Sequence, residues 1–271
     1  MKSISIILFC LIAMFMEPSK MYAQISVGIG ITVRYAPPPL PVYEQPPCPV
    51  DGYLWMPGYW AYNGGYYWVP GVWVSPPQYG FLWTPCYWDF SGGYYRYHSG
   101  YWGSHVGYYG GINYGYGYSG SGYYGGRWEG RHFRYNTAVV NVNRTVVHNT
   151  YEDRTVLVNN SKGNRSSYNG PGGVKTIPNA QEKAAIRETH AQPTTEQMSH
   201  QQMASKDGGQ FASLNKGRPA KTAVNKVGGQ GYHPQQQHET ATRHAPKQQA
   251  PAQKQEQHES RQGGESHEKR N

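Results

Sequence analysis

One short phrase recurs four times between residues 53 and 102, and it decides what this chain can fold into. An aromatic is followed by two residues, a turn-former, one residue and a Trp. The copies are Trp55-Met56-Pro57-Gly58-Tyr59-Trp60, Trp68-Val69-Pro70-Gly71-Val72-Trp73, Trp83-Thr84-Pro85-Cys86-Tyr87-Trp88 and Tyr97-His98-Ser99-Gly100-Tyr101-Trp102. Their starts are 13, 15 and 14 residues apart. That period suits one β-strand plus a turn and is too short for a helical solenoid repeat.

Asn63-Gly64 and, farther on, Ser91-Gly92-Gly93 are hairpin turn signals. They predict two hairpins, residues 53–62 with 65–74 and 81–90 with 93–102, joined by residues 75–80. The expected fold class is mainly β: a small antiparallel meander of Trp- and Tyr-rich hairpins, over residues 51–103. Residues i and i+5 of a regular strand point to opposite faces. One extra bulged residue would return both Trp of a phrase to the same face, and Pro and Gly are tolerated at bulges. The rival reading makes each Pro-Gly a turn with its two Trp paired across it. Type II Pro-Gly turns twist strands the wrong way for a tight hairpin, so the bulge is preferred. In either case stacked rings add about 0.5–1.5 kcal/mol per pair beyond their burial. The residues that carry the module are Trp55, Trp60, Trp68, Trp73, Trp83, Trp88, Tyr97 and Trp102. Two roles are open to them, a core or a ring platform for a flat ligand such as a sugar.

The phrase resembles that of the YXWGXW (WXXGXW) repeat proteins, exported bacterial proteins of unknown function. The likeness extends to Pro46-Pro47-Cys48-Pro49 ahead of Asp51-Gly52-Tyr53-Leu54-Trp55, to Gly110-Gly111-Ile112-Asn113-Tyr114-Gly115, to Tyr135-Asn136-Thr137-Ala138-Val139 and to Ser167-Tyr168-Asn169-Gly170-Pro171-Gly172-Gly173. It spans roughly residues 36–215. The resemblance implies no catalytic residues. Two positions depart from the pattern: Cys86 stands where the phrase has Gly, and Tyr97 where it has Trp.

Near the start of the sequence Lys2 precedes an apolar run from Ile4 to Met16, followed by Met21-Tyr22-Ala23. That is the layout of a secretory signal over residues 1–23, cleaved after Ala23, and the run is short for a membrane span. The expectation is an exported protein of the periplasm, cell surface or medium, touching a membrane only through this segment before cleavage. Export leaves Cys48 and Cys86 in an oxidising compartment. A disulfide between them would close a loop of about 38 residues and contribute about 3–4 kcal/mol; two free thiols are the alternative.

Residues 24–35 alternate Ile25, Val27, Ile29, Ile31 and Val33 with small or polar residues, a period-2 strand with one apolar face. Residues 36–50 are a Pro-rich linker in extended polyproline conformation. Residues 104–135 are rich in Gly and Tyr, and read as a loop wrapped over the sheet or as a self-associating segment. Residues 136–160 hold β-branched runs that predict short strands. Residues 161–205 form a polar linker in which Asn179…Glu182 and Thr194…Gln197 have capping-box spacing; they predict helices over about 180–190 and 194–205. Residues 206–271 are Gln-, His- and Lys-rich and predict disorder.

Only 37% of the 271 residues are hydrophobic, so one aromatic-cored region is expected, with little to bury in the last third. The net charge of +9 is spread through the second half and fits a solvated tail. Arg127, Arg131 and Arg134 interleave with Trp128, Phe133 and Tyr135, a mixture that can bind single strands, but an exported chain gives no reason to expect a specific nucleic acid. His233, His238, His244, His258 and His267 are too scattered for a compact metal site. No nucleophile, base and orienting group can be assembled, and Asp51, Asp89, Glu129, Glu152 and Asp153 are isolated acids. The sequence therefore predicts a non-enzyme without cofactor. Its candidate partners are cell-envelope glycan or further copies of itself.

Overall fold

The structure is a computed structural model and describes residues 30–157 and 165–232. The expected signal, residues 24–29 of the alternating segment, and residues 233–271 with their His set lie outside the described residues.

The fold is mainly β, built from small antiparallel sheets. After β1 (Thr32–Val33) the first repeat pair makes β2 (Leu54–Met56), β3 (Tyr59–Tyr62), β4 (Tyr66–Val69) and β5 (Val72–Val74). The second pair makes β6 (Leu82–Thr84), β7 (Tyr87–Ser91), β8 (Tyr94–His98) and β9 (Tyr101–Gly103). β3 pairs with β4 and β2 with β5; likewise β7 pairs with β8 and β6 with β9. Each pair of phrases is thus one long hairpin with a break halfway along. Gly64 turns the first at φ +67°, and Gly92 and Gly93 turn the second at +61° and +84°, conformations that side chains other than Gly resist.

The Pro-Gly steps are neither turns nor one-sided bulges. Trp55 lies opposite Trp73, and beyond the break Trp60 lies opposite Trp68, in one continuous register. Both strands carry the same number of residues across the break, so the hairpin kinks without slipping. The two hairpins share no ladder. They meet through rings: the Trp88 indole N–H donates to the Trp60 carbonyl at 2.8 Å, and Tyr66 meets Trp88 edge-on at 5.2 Å.

The rest of the chain wraps these hairpins. The Gly/Tyr segment folds over the second one. It contains β10 (Asn113–Gly115), β11 (Tyr118–Ser119) and the hairpin of β12 (Gly126–Glu129) with β13 (His132–Asn136). Tyr109, Tyr114 and Tyr118 are buried, and the last two donate their hydroxyls to the backbone of Cys86 and Trp83. Of the two readings of this segment, wrapping is the one observed.

Among the described residues, the short strands expected over residues 136–160 reduce to β14 (Thr150–Tyr151), and residues 158–160 lie outside them. Asn136, Asn143 and Asp153 turn their side chains onto backbone amides two residues ahead, at 3.2, 3.1 and 2.9 Å. These local bonds fold the β-branched runs into turns before a ladder can form.

After β15 (Tyr168–Asn169), which pairs with β7, come α1 (Ala180–Ala185) and α2 (Thr195–Ala204). Both capping boxes are made, Asn179 with Glu182 and Thr194 with Gln197. Disorder was expected from residue 206, and for residues 206–232 that is corrected. A short α3 (Ala212–Asn215) forms, Ala223 and Val224 are buried, and Gln210 is 1% exposed. The Gln210 amide donates to the carbonyls of Trp68 and Lys221 and accepts from the Lys221 N–H. Polar side chains hold this segment down, which is why its composition hides it.

Gln210→Ala removes three hydrogen bonds, one of them fully buried, and should cost about 1–3 kcal/mol in urea unfolding. A disordered segment would leave the midpoint unmoved.

Candidate functional site

The repeat aromatics form four pairs of nearly equal geometry. Ring centroids stand 5.3 Å apart for Trp55–Trp73 and Trp60–Trp68, and 5.2 Å apart for Trp83–Trp102 and Trp88–Tyr97, with interplanar angles of 56–69°. Such tilted, edge-directed contacts suit the quadrupole of an aromatic ring. Tyr43 touches Trp55 from one pair and Trp68 from the next, at 6.4 and 6.2 Å, which places the indoles of the first hairpin on a single face.

The turn-former of each phrase has a definite function. A Cβ built on Gly71 would stand 2.4 Å from the Trp55 ring, and one built on Gly58 would stand 2.2 Å from the Trp68 ring. The leading Trp of each phrase therefore lies on the Gly of its partner phrase, and the arrangement is reciprocal. In the second hairpin Trp83 lies on Gly100, where a Cβ would stand 2.4 Å from the ring. By the same exchange the fourth leading aromatic, Tyr97, should lie on residue 86. The two departures meet there: the Tyr97 hydroxyl lies beside the Cys86 thiol. Where glycine gives way to a residue with a side chain, the indole gives way to the smaller phenol.

Seven of these eight aromatics are Trp with at most 4% exposure, and Tyr97 is half-buried. Of the two roles open to them, they take that of a core. Buried indoles need acceptors for their N–H groups, and the wrapping segments supply them to four of the repeat Trp, while the buried Trp55 N–H has none among the described residues. The proline linker offers carbonyls, Pro39 to Trp60 at 3.2 Å and Pro46 to Trp73 at 2.8 Å. Thr222 takes the N–H of Trp68 at 3.0 Å, and Gln197 of α2 takes that of Trp102 at 2.7 Å. His200 of α2, also buried, contacts the Pro70 carbonyl at 2.8 Å, inside the first break.

Cys48 and Cys86 are both free and buried, so the disulfide considered from the sequence is not formed. Cys48 is held in a backbone bridge to Val142, with its thiol toward Val50 and Tyr135. Cys86 sits in the second break beside Tyr97. Burial pushes each thiol up to about 12, so neither supplies thiolate near neutrality. No group of three or more His, Cys, Asp or Glu side chains is placed to hold a metal ion among the described residues.

The aromatics that do reach the surface come from elsewhere. Tyr79 is 62% exposed and meets Trp128, the one Trp outside the phrases, edge-on at 5.9 Å. Arg131 lies over the Tyr79 ring at 4.8 Å. With Asp51, Gln78 and His132 these residues line a cleft of about 710 Å³ between the inter-hairpin link and the β12–β13 hairpin. The sequence placed these residues in other roles, because their juxtaposition depends on how the Gly/Tyr segment folds back.

The WXXGXW repeat model matches residues 51–74 in two copies, which is the first hairpin. The chain thus carries the WXXGXW repeat. The second hairpin keeps its geometry with two altered positions. No curated protein and no solved structure matches the chain.

The reciprocal seat predicts coupled substitutions. Tyr97→Trp alone should destabilise by about 1–3 kcal/mol, because the larger ring meets the Cys86 side chain. Cys86→Gly with Tyr97→Trp should recover much of that loss, a coupling of about 0.5–3 kcal/mol in a double-mutant cycle followed by urea unfolding. Additive effects would refute the seat.

His200 gives a pH signature. Burial lowers its pKa from the usual 6.5, opposed in part by the bond to Pro70. The folded state thus favours neutral imidazole, while the unfolded chain takes up the proton first. The contribution is complete above the unfolded value and is lost as pH falls below it. The unfolding midpoint should drop between pH 7.5 and 5.5, and His200→Gln should flatten that slope.

Proposed function

We propose that this chain is a non-enzymatic exported protein of the bacterial envelope, with a structural or interaction role exerted through its aromatic repeat module. The observation that carries this reading is the reciprocal Trp-on-Gly pairing. It commits the most unusual residues of the chain to cohesion and yields a stiff, ring-cored body at low aliphatic content. The charged Lys2, the apolar run and Met21-Tyr22-Ala23 support export.

A second reading, a glycan-binding module, has an observation of its own. The Tyr79–Trp128 cleft offers aromatic faces beside a carboxylate, a guanidinium and an amide, groups that suit the apolar faces and hydroxyls of a sugar ring. The exposed rings there, not those of the repeat, would carry it.

One set of measurements separates the readings. Mapping the N-terminus of the protein recovered from fractionated cells should place it at Gln24 in an exported fraction; an intact Met1 in the cytoplasm would refute export. Titration with cell-wall and surface glycans should leave Trp fluorescence unchanged under the structural reading, and sedimentation should then show assemblies. A saturable change abolished by Trp128→Ala would establish the glycan reading instead.

A further inference from the structure

The two hairpins carry the same break, but the chain treats its outer edge in two ways. In the first hairpin the Gly71 N–H donates to the Thr222 carbonyl at 3.1 Å, and the Gly71 carbonyl accepts from the Val224 N–H at 2.9 Å. A strand of the same chain lies along the break, with Ala223 paired to Gly71 and fully buried. Gly100 holds the matching place in the second hairpin. It is buried, yet among the described residues neither its N–H nor its carbonyl has a hydrogen-bond partner. The edge is paired on both sides of it. The Tyr97 N–H donates to Ile31 at 3.0 Å, and the Trp102 N–H donates to Ala191 at 2.9 Å. Gly100 is the missing step, and it borders a cavity of about 920 Å³ with Gly30, Ile31, Cys86, Tyr97 and Tyr101. A buried peptide group without a partner is rare in a folded chain.

We propose that this cavity is a strand-acceptor groove whose occupant is the segment Gln24–Ile29, added as the continuation of β1. Three observations select it. The first is direction: β1 runs antiparallel to β8, with Thr32 opposite Arg96 and Val33 opposite Tyr95. The second is register. The kink at Ser99-Gly100 adds one residue, so the outward-bonding positions run Tyr97, Gly100, Trp102. On the added strand the bonding position after Ile31 is two residues back, at Ile29, which falls opposite Gly100. The third is chemistry: Ile25, Val27 and Ile29 alternate with Gln24, Ser26 and Gly28, and Met56, Trp83 and Tyr101 line the groove with apolar surface. The pairing requires only residues 24–29 and holds with or without signal cleavage.

Cys86 lines the groove and Cys48 lies elsewhere, which supplies a reporter and its reference. In the full chain, native-state alkylation of Cys86 should be slow and the Gly100 amide should resist hydrogen exchange. Ile29→Pro removes the N–H that Gly100 would accept, and Val27→Asp puts a charge on the apolar face. Each should raise Cys86 labelling about tenfold, free the Gly100 amide and leave Cys48 unchanged. A synthetic peptide of residues 24–31, added to the Ile29→Pro chain, should restore both protections. Variants that leave Cys86 labelling unmoved overturn the proposal, since the groove would then be closed by something else. If a variant also exposes Cys48 it has unfolded, and the unaltered chain decides: a freely exchanging Gly100 amide overturns the proposal, and a protected one supports it.

Discussion

A ring can rest on a peptide backbone only where there is no Cβ beneath it. That steric fact organises the whole molecule. Trp55 on Gly71, Trp68 on Gly58 and Trp83 on Gly100 bring indoles nearer to the facing strand than any other residue there would allow. Ring-to-ring contact within each pair and dispersion against the glycine backbone then add to the branched aliphatics of the core, such as Leu54, Val69, Val72 and Val74. The Pro and Gly that would ordinarily weaken a strand are placed where a kink is wanted and a close approach needed.

A core of indoles brings a polar obligation with it. Each buried N–H needs an acceptor, and a hairpin uses most of its own carbonyls in its ladder, that of Trp60 at Trp88 being an exception. The proline linker answers this well, because its residues supply carbonyls without N–H groups that compete for them. The C-terminal segments answer it with the Gln197 side-chain oxygen at Trp102 and the Thr222 carbonyl at Trp68. The wrapping segments thus meet the repeat through directed hydrogen bonds as well as through the apolar area of side chains such as Ile112, Tyr118, Phe133 and Val224.

That division explains what could be read from the sequence. The two hairpins, the same-face arrangement of the Trp and both capped helices follow from local signals: Asn63-Gly64, the period of the phrase, and the Asn179 and Thr194 boxes. The burial of residues 206–232 does not. Gln210 anchors that segment through hydrogen bonds where a docked segment ordinarily presents Leu or Val, so it has no apolar stripe to detect. The turns over residues 136–157 were hidden for the opposite reason. Their β-branched residues advertise strands, while single Asn and Asp side chains decide the conformation. The symmetric kink was legible only in part, because a bulge on one strand and a matched kink on both satisfy the same facing argument. Cys86 and Tyr97 were visible as separate oddities; only the pairing shows that they are a single exchange.

Reciprocity has a consequence for ancestry. A lone phrase has an indole without a seat and a glycine without a cover, so the heritable unit is two phrases joined by a turn. Copies should be gained and lost by twos, and the number in any chain built this way should be even. Spacing inside a unit is constrained by the ladder, as in the 13 and 14 residues here, whereas the 15 between units answers only to the linker. Drift, too, should travel across the hairpin, with a change under one ring followed by a change in that ring.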